Sequence, residues 1–358
     1  MRYTIEDKKN KFIYAFDTET GAYFRTGILD EFGNDTGIDP FMGEYPHLID
    51  VGIMGHCIHG KTGLCVKAGI GCYQNGLFTT KPNMTLEDFR TIATQSRGRS
   101  NQFALGGRGD PDQHENFEEI LKICKENDIV PNFTTSGYGM TQEIAKLCKK
   151  YCGAVAVSWY RSEYTLKAID MLLKEKVTTN IHYVLGNNSI DEAIDRLKNN
   201  TFPKGINSII FLLHKPVGQG KIDNVLNPFD PKVKEFFDEV DKGGHPFQIG
   251  IDSCNAPGVV NFCKNVILEA IDTCEGGRYS CYITPDMYLL PCSFDQERKY
   301  AVSLKEHTIE EAWNSKQFDD FRNILKNSCK NCQKRSNCMG GCPLHKEIVL
   351  CKEINKYE

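Results

Sequence analysis

Leu48-Ile49-Asp50-Val51-Gly52-Ile53-Met54 runs directly into Gly55-His56-Cys57-Ile58-His59-Gly60-Lys61-Thr62-Gly63-Leu64-Cys65, and residues 66–71 then lead to Cys72. The first seven residues are mostly apolar, several of them β-branched, and read as a strand. The glycine-rich stretch reads as a loop at the strand's carboxyl end. Three thiolates can hold a four-iron cluster at three irons and leave the fourth open to a substrate or cofactor, as a catalytic zinc site keeps one position free. The glycines serve that purpose, because converging three ligands requires backbone angles that most residues avoid. His56 and His59 are further candidate ligands, and the bland alternative is a loop with three unrelated cysteines.

Reading onward, residues 102–105, 130–135, 154–158, 180–185 and 208–213 are further short apolar runs, making six strands in all. Amphipathic helices separate them. Phe117, Ile120, Leu121 and Cys124 fall on one helical stripe, as do Ile144, Leu147, Cys148 and Tyr151, then Ile190, Ala193, Ile194 and Leu197. Thr85 with Asp88 and Ser189 with Glu192 read as capping boxes, and Pro131 and Gly153 as returns from helix to strand. Strands alternating with helices predict an α/β fold with a parallel sheet, either an incomplete barrel or open, and both place the active site at the carboxyl ends of the strands. The loop after the second strand, Gly106-Gly107-Arg108-Gly109-Asp110-Pro111, lets backbone approach a ligand and offers Asp110 to an amine.

The C-terminal part concentrates thiols: Cys274, Cys281, Cys292, Cys329, Cys332, Cys338, Cys342 and Cys351. The run Cys329-x2-Cys332-x5-Cys338-x3-Cys342 is a metal-ligand spacing, and eight thiolates can hold two four-iron clusters, with two zinc sites as the simpler alternative. A disulfide knot would need an oxidising compartment, and the N-terminus shows no apolar signal core. No run approaches the length of a membrane span, so the chain is expected to be cytoplasmic with reduced or metal-bound thiols. With 358 residues and 40% hydrophobic content it can bury a large core, and a formal charge of −4 without a Lys/Arg block gives no footprint for nucleic acid. Cys124 and Cys148 lie on apolar stripes and are expected to pack, although Cys148 with Cys152 has ligand spacing. Cys254, in Asp252-Ser253-Cys254-Asn255, is a spare ligand, an inert thiol or a hydrogen-atom donor.

Strand, three-cysteine loop, second strand ending in Gly106-Gly107, further strand-helix units and a terminal cysteine array together resemble the radical S-adenosylmethionine enzymes with a SPASM extension, from about residue 48 to 351. The resemblance implies a partial (β/α)6 TIM-like barrel at 48–251, a small Cys-rich SPASM domain at 252–358, and an N-terminal extension at 1–47 whose strand-like stretches, 11–16 and 22–25, form a hairpin over one end of the barrel. It assigns Cys57, Cys65 and Cys72 to a catalytic [4Fe-4S] cluster. Gly106, Gly107 and Asp110 are placed at the methionine end of S-adenosylmethionine, with Ser136, Ser158 and His182 as candidates for its ribose and carboxylate. In the tail it assigns Cys329, Cys332, Cys338 and Cys351 to a distal auxiliary cluster and Cys274, Cys281, Cys292 and Cys342 to a nearer one, with Cys254 as the alternative to Cys281. The helix begun by Thr308-Ile309-Glu310-Glu311 is expected to pack Trp313 between the halves of the tail.

The implied activity is cleavage of S-adenosylmethionine to methionine and a 5'-deoxyadenosyl radical that abstracts hydrogen from a peptide or protein. The implied chemistry is maturation of a ribosomal peptide by crosslinking, oxidation or epimerisation. An external one-electron reductant of flavodoxin or ferredoxin type and a low-oxygen setting follow, and the leader peptide is bound by this chain or by a separate partner. The alternatives are maturation of a partner enzyme such as a sulfatase, and a non-catalytic iron-sulfur carrier or scaffold. Two departures stand out: the family's first motif has three and two residues between its cysteines, whereas here the gaps are seven and six, and Arg108 occupies the acidic position after the glycine pair.

Overall fold

The computed structural model describes residues 2–354 apart from 77, 79, 269 and 270. Strands β1 (Arg2–Asp7), β2 (Phe12–Asp17) and β3 (Tyr23–Arg25) form a small antiparallel sheet, so the expected hairpin gains a third strand. The six strands expected next are all present: β4 (Leu48–Met54), β5 (Gln102–Gly107), β6 (Val130–Thr135), β7 (Val155–Ser158), β8 (Thr179–Leu185) and β9 (Ser208–Leu213). They pair in parallel, each beside its sequence neighbour, and β10 (Gln248–Ile251) continues the series. Because every step across the sheet runs the same way and such crossovers are right-handed, all the connecting helices land on one face.

That face is the core. On β4, Ile49, Val51 and Ile53 are fully buried beneath the helices, while Asp50 alternates onto the inner face. The helix Phe117–Glu126 buries all four residues of its expected stripe, and Ile190–Asn199 does the same. In Gln142–Tyr151 the buried residues are Ala145 and Cys148. Thr85 caps its helix by accepting from Asp88 N at 3.1 Å, but the expected box is not completed, because the Asp88 carboxylate pairs with Lys305 instead. Ser189 occupies the N-cap position without capping. Its hydroxyl instead donates to Val184 O at 2.8 Å, and Glu192 pairs with Arg161 and Arg196. Pro131 lies within β6 rather than before it.

The sheet does not end with β10. From the tail, β11 (Ser280–Ile283) enters beside β4 in parallel register, Cys281 opposite Ile49 and Tyr282 opposite Asp50. Then β12 (Tyr288–Leu290) and β13 (Val302–Ser303) extend the edge antiparallel, giving a ten-stranded open sheet. The N-terminal sheet docks where the tail begins this insertion. His47 stacks on Tyr14 with ring centroids 4.0 Å apart, and Phe12, Tyr23 and Tyr279 complete an aromatic cage around it. The capping box of Thr308 and Glu311 forms, and Trp313 is buried in the main core, its indole donating to Gly43 O at 3.1 Å.

Candidate metal and cofactor sites

The cysteine loop lies at the carboxyl end of β4 and is clamped by the loops that follow four other strands. Arg108 Nε donates to Gln74 O (3.2 Å), Arg161 Nη1 to Ala68 O (3.3 Å), Asn188 Nδ2 to Gly69 O (2.8 Å), and Gln219 N to Cys72 O (3.0 Å). Arg108, out of place by the family pattern, therefore has a structural task here. Cys57, Cys65 and Cys72 are half-buried. The Cys65 and Cys72 thiols hydrogen-bond each other; this holds Cys72 below its ordinary value and Cys65 above it. Burial raises Cys57. A Cβ on Gly76 would sit 3.1 Å from Cys57 Cβ and 3.6 Å from Cys72 Sγ, so a side chain there would crowd two of the three thiols.

Beside this loop, Asp110 accepts from Ser136 N at 2.9 Å and from Ser136 Oγ, and its Oδ2 lies 3.3 Å from His59 Nε2. Three loops thus meet at one carboxylate. Tyr138 packs edge-on against His59, centroids 4.7 Å apart. Gly106 faces open space: nothing lies within 4 Å of a Cβ built there. Gly107 has φ +114°, and its Cβ would meet Met54 O at 2.4 Å, so glycine is required for the approach of β5 to β4. Ser158 and His182 are register partners on β7 and β8. His182 Nδ1 bonds Thr134 Oγ1 at 3.0 Å, and desolvation pushes its pKa down to about 4, so the ring is neutral at pH 7. Gly106, Gly107, Asp110, Ser136 and Ser158 lie at or just past the carboxyl ends of β5 to β7, with Asp110 and Ser136 already bonded together, whereas His182, expected at a strand end, sits in the middle of β8.

The tail thiols separate into two sets. Cys254 hydrogen-bonds Cys342, and it neighbours Cys274 and Cys292 electrostatically. Cys281 is not brought into this set. It is 1% exposed, alternates on β11 onto the same apolar core as Ile49, and has Asp50 and Arg322 as charged neighbours. The strand that carries Cys281 has to bury that side to cover β4, whereas the loop after β10 is free to present Cys254. Cys329, Cys332, Cys338 and Cys351 together line one cavity, with Pro257, Asn261, Lys334 and Gly340. Among the described residues no three His, Cys, Asp or Glu side chains enclose a single-ion position; the thiols form three looser sets. Burial pushes the Cys274 thiol up to about 12 and raises Cys292 as well, so iron bound by these two would displace their protons. Cys124 and Cys148 are fully buried packing residues, with Cys152 hydrogen-bonded to Cys148.

Residues 274–334 match the family of SPASM iron-sulfur cluster-binding domains. Within the tail, residues 274–334 are therefore SPASM-like. The matched residues take in Cys274, Cys281, Cys292, Cys329 and Cys332, and Cys338, Cys342 and Cys351 follow them. Solved structures share the fold of sheet and tail together. SuiB of Streptococcus suis bound to its precursor peptide SuiA superposes with a TM-score of 0.67 over 98% of this chain and 100% of that one, at 12% identity. SuiB bound to S-adenosylmethionine gives 0.64, over 87% of this chain and 78% of that one, at 14% identity. The protein anSMEcpe, with bound AdoMet and the Cp18Cys peptide, gives 0.59 over 83% and 89%, at 17% identity. No curated protein sequence matches the chain. The fold of the sheet together with the Cys-rich tail is the fold of these solved structures. No helix among the described residues is long and apolar enough to cross a membrane.

Sequence reasoning left Cys254 as an alternative and did not single out the clamps Arg161, Asn188 and Gln219, nor Gly76. Only Cys254 carried a usable signal, its place directly after a strand.

Proposed function

We propose that the chain is a radical S-adenosylmethionine enzyme acting on a peptide or protein. Residues 48–251 would form its cofactor-binding part and 252–358 its auxiliary-cluster part. The observation that carries the reading is the convergence of Cys57, Cys65 and Cys72 at the carboxyl end of β4, next to the open side of Gly106, in a chain whose residues 274–334 are SPASM-like. A four-iron cluster held there supplies one-electron cleavage of S-adenosylmethionine to methionine and a hydrogen-abstracting 5'-deoxyadenosyl radical. The chain's own residues do the positioning. Gly106 leaves room at the methionine end, the Asp110 carboxylate faces its amine while Ser136 fixes the carboxylate's orientation, and Ser158 and neutral His182 offer hydrogen bonds to ribose and carboxylate. The clamps from Arg108, Arg161, Asn188 and Gln219 hold the atypically long loop still, so that seven- and six-residue gaps can still converge three ligands.

Cys254, Cys274, Cys292 and Cys342 are the proximal auxiliary ligands in this reading, and Cys329, Cys332, Cys338 and Cys351 the distal ones. The electron enters from a cytoplasmic flavodoxin- or ferredoxin-type donor under low oxygen. A ribosomal precursor peptide, modified by crosslinking, oxidation or epimerisation, is favoured as substrate over a folded partner enzyme such as a sulfatase, because the likeness to SuiB with its precursor peptide runs over the greater share of both chains. The test is anaerobic reconstitution, iron and sulfide analysis, and a 5'-deoxyadenosine assay with S-adenosylmethionine and strong reductant. Turnover supports the reading; protein loaded with about three clusters that releases none is a carrier or scaffold instead.

A further inference from the structure

Between the cysteine loop and the proximal thiols the chain buries a cation that neither ligand set requires. Lys215, which follows β9 by two residues, has a side chain 3% exposed. Its Nζ donates to Leu213 O at 2.9 Å and to Asp252 Oδ2 at 3.1 Å, and lies 4.4 Å from the centroid of the Phe294 ring. Asp252 is held in turn by Leu213 N at 3.2 Å and by Asn255, whose Nδ2 donates at 2.8 Å. The surroundings tie this pair to both sites. Asp252 stands two residues before Cys254, and Phe294 two after Cys292. The Phe294 ring meets that of Tyr73, next to Cys72, at 4.6 Å between centroids. Cys254 and Cys292 are, after Asp252, the groups that most favour the charge on Lys215.

A buried ion pair is a poor stabilising device, since desolvating two charges offsets most of their attraction and apolar residues of like size often serve the fold as well. A fixed charge does act strongly, however, on any charge added nearby at low dielectric. We propose that Lys215 is a positioning charge that raises the reduction potential of the proximal auxiliary cluster and so favours arrival of an electron from the side of the catalytic loop. The inference rests on the proposed ligand set Cys254, Cys274, Cys292 and Cys342. In the step concerned the cluster gains one electron, from the 2+ to the 1+ state, with no bond made or broken on it. In turnover the donor is the substrate carbon radical, oxidised by one electron with loss of a proton to a closed-shell product. In the test the donor is dithionite.

The experiment is an anaerobic redox titration followed by electron paramagnetic resonance, in protein carrying Cys57→Ala, Cys65→Ala and Cys72→Ala so that only tail clusters report. The signal lost in Cys254→Ala marks the proximal cluster. Lys215→Met is expected to lower the reduced-to-oxidised ratio at fixed potential at least tenfold, about 59 mV for one electron. Asp252→Asn should shift it the opposite way, and Lys215→Arg should restore the wild-type midpoint. Opposite signs are the discriminating result, because simple damage to the loop would move both variants alike. An unchanged midpoint in iron-loaded Lys215→Met, or shifts of one sign, overturns the proposal. If Lys215→Met fails to retain iron, Asp252→Asn and Lys215→Arg decide by the same criteria. A tail that binds no iron with Cys254 intact overturns the ligand reading itself, and this inference with it.

Discussion

Cys254, just past β10, hydrogen-bonds the thiol of Cys342 near the chain's far end, joining the parallel sheet to the last cysteine array. Cys254→Ala should therefore cost about four irons per chain. Cys281→Ala should leave the iron content unchanged and cost only core packing, on the order of 1 kcal/mol. Iron and sulfide analysis after reconstitution distinguishes them, and iron loss in the Cys281 variant alone would restore the assignment implied by the family resemblance.

Gly106 and Gly107 are adjacent but should fail differently. Gly107→Ala forces a Cβ toward Met54 O at a positive φ, so it should lose about 2 kcal/mol or more of stability in urea titrations. Gly106→Val has room at its Cβ and should unfold like wild type while binding S-adenosylmethionine at least tenfold more weakly in equilibrium dialysis. Unchanged binding would remove Gly106 from the cofactor site.

His47 supplies a pH dependence. Desolvation within its aromatic cage pushes its pKa down to about 4, against Asp7, which raises it, and with Arg25, which lowers it further. The unfolded chain, with an ordinary value near 6.5, then binds more protons than the folded one between about pH 6.5 and 4. Stability should be full above that window and fall across it by up to about 3 kcal/mol as the pH drops. His47→Gln should flatten this part of the stability profile, and an unchanged slope would show that other groups carry it.

Arg278 is 1% exposed and donates to Phe41 O at 2.6 Å and Thr273 Oγ1 at 2.8 Å while pairing with Asp39. Arg278→Leu leaves these acceptors without a donor and should cost about 2–4 kcal/mol. Limited proteolysis should then cut first within residues 26–46. Wild-type resistance would mean that the N-terminal segment is held by other contacts.

What could be read from the sequence follows what is local. Strands β4 to β9 are bounded by apolar runs, and the stripe at Phe117, Ile120, Leu121 and Cys124 repeats at helical spacing, so both were legible. Ser189 followed by Glu192 has the capping-box pattern, yet the carbonyls of the preceding turn and the arginines nearby compete better for these side chains. Cys281 and Cys254 could not be separated by spacing. Their difference is set by register, because β11 turns Cys281 toward the core only once it lies beside β4. The clamps on the cysteine loop and the Lys215–Asp252 pair were equally hidden, being contacts between loops far apart in sequence.

The place of β11 beside β4 also bears on how the chain comes into being. β4 is made early, but its neighbour on one side emerges from the ribosome more than two hundred residues later. At roughly 5–20 residues per second that leaves an exposed hydrogen-bonding edge for on the order of ten seconds or more. The cysteine loop hangs from that unfinished edge, so its three thiols spend the same interval beside open backbone.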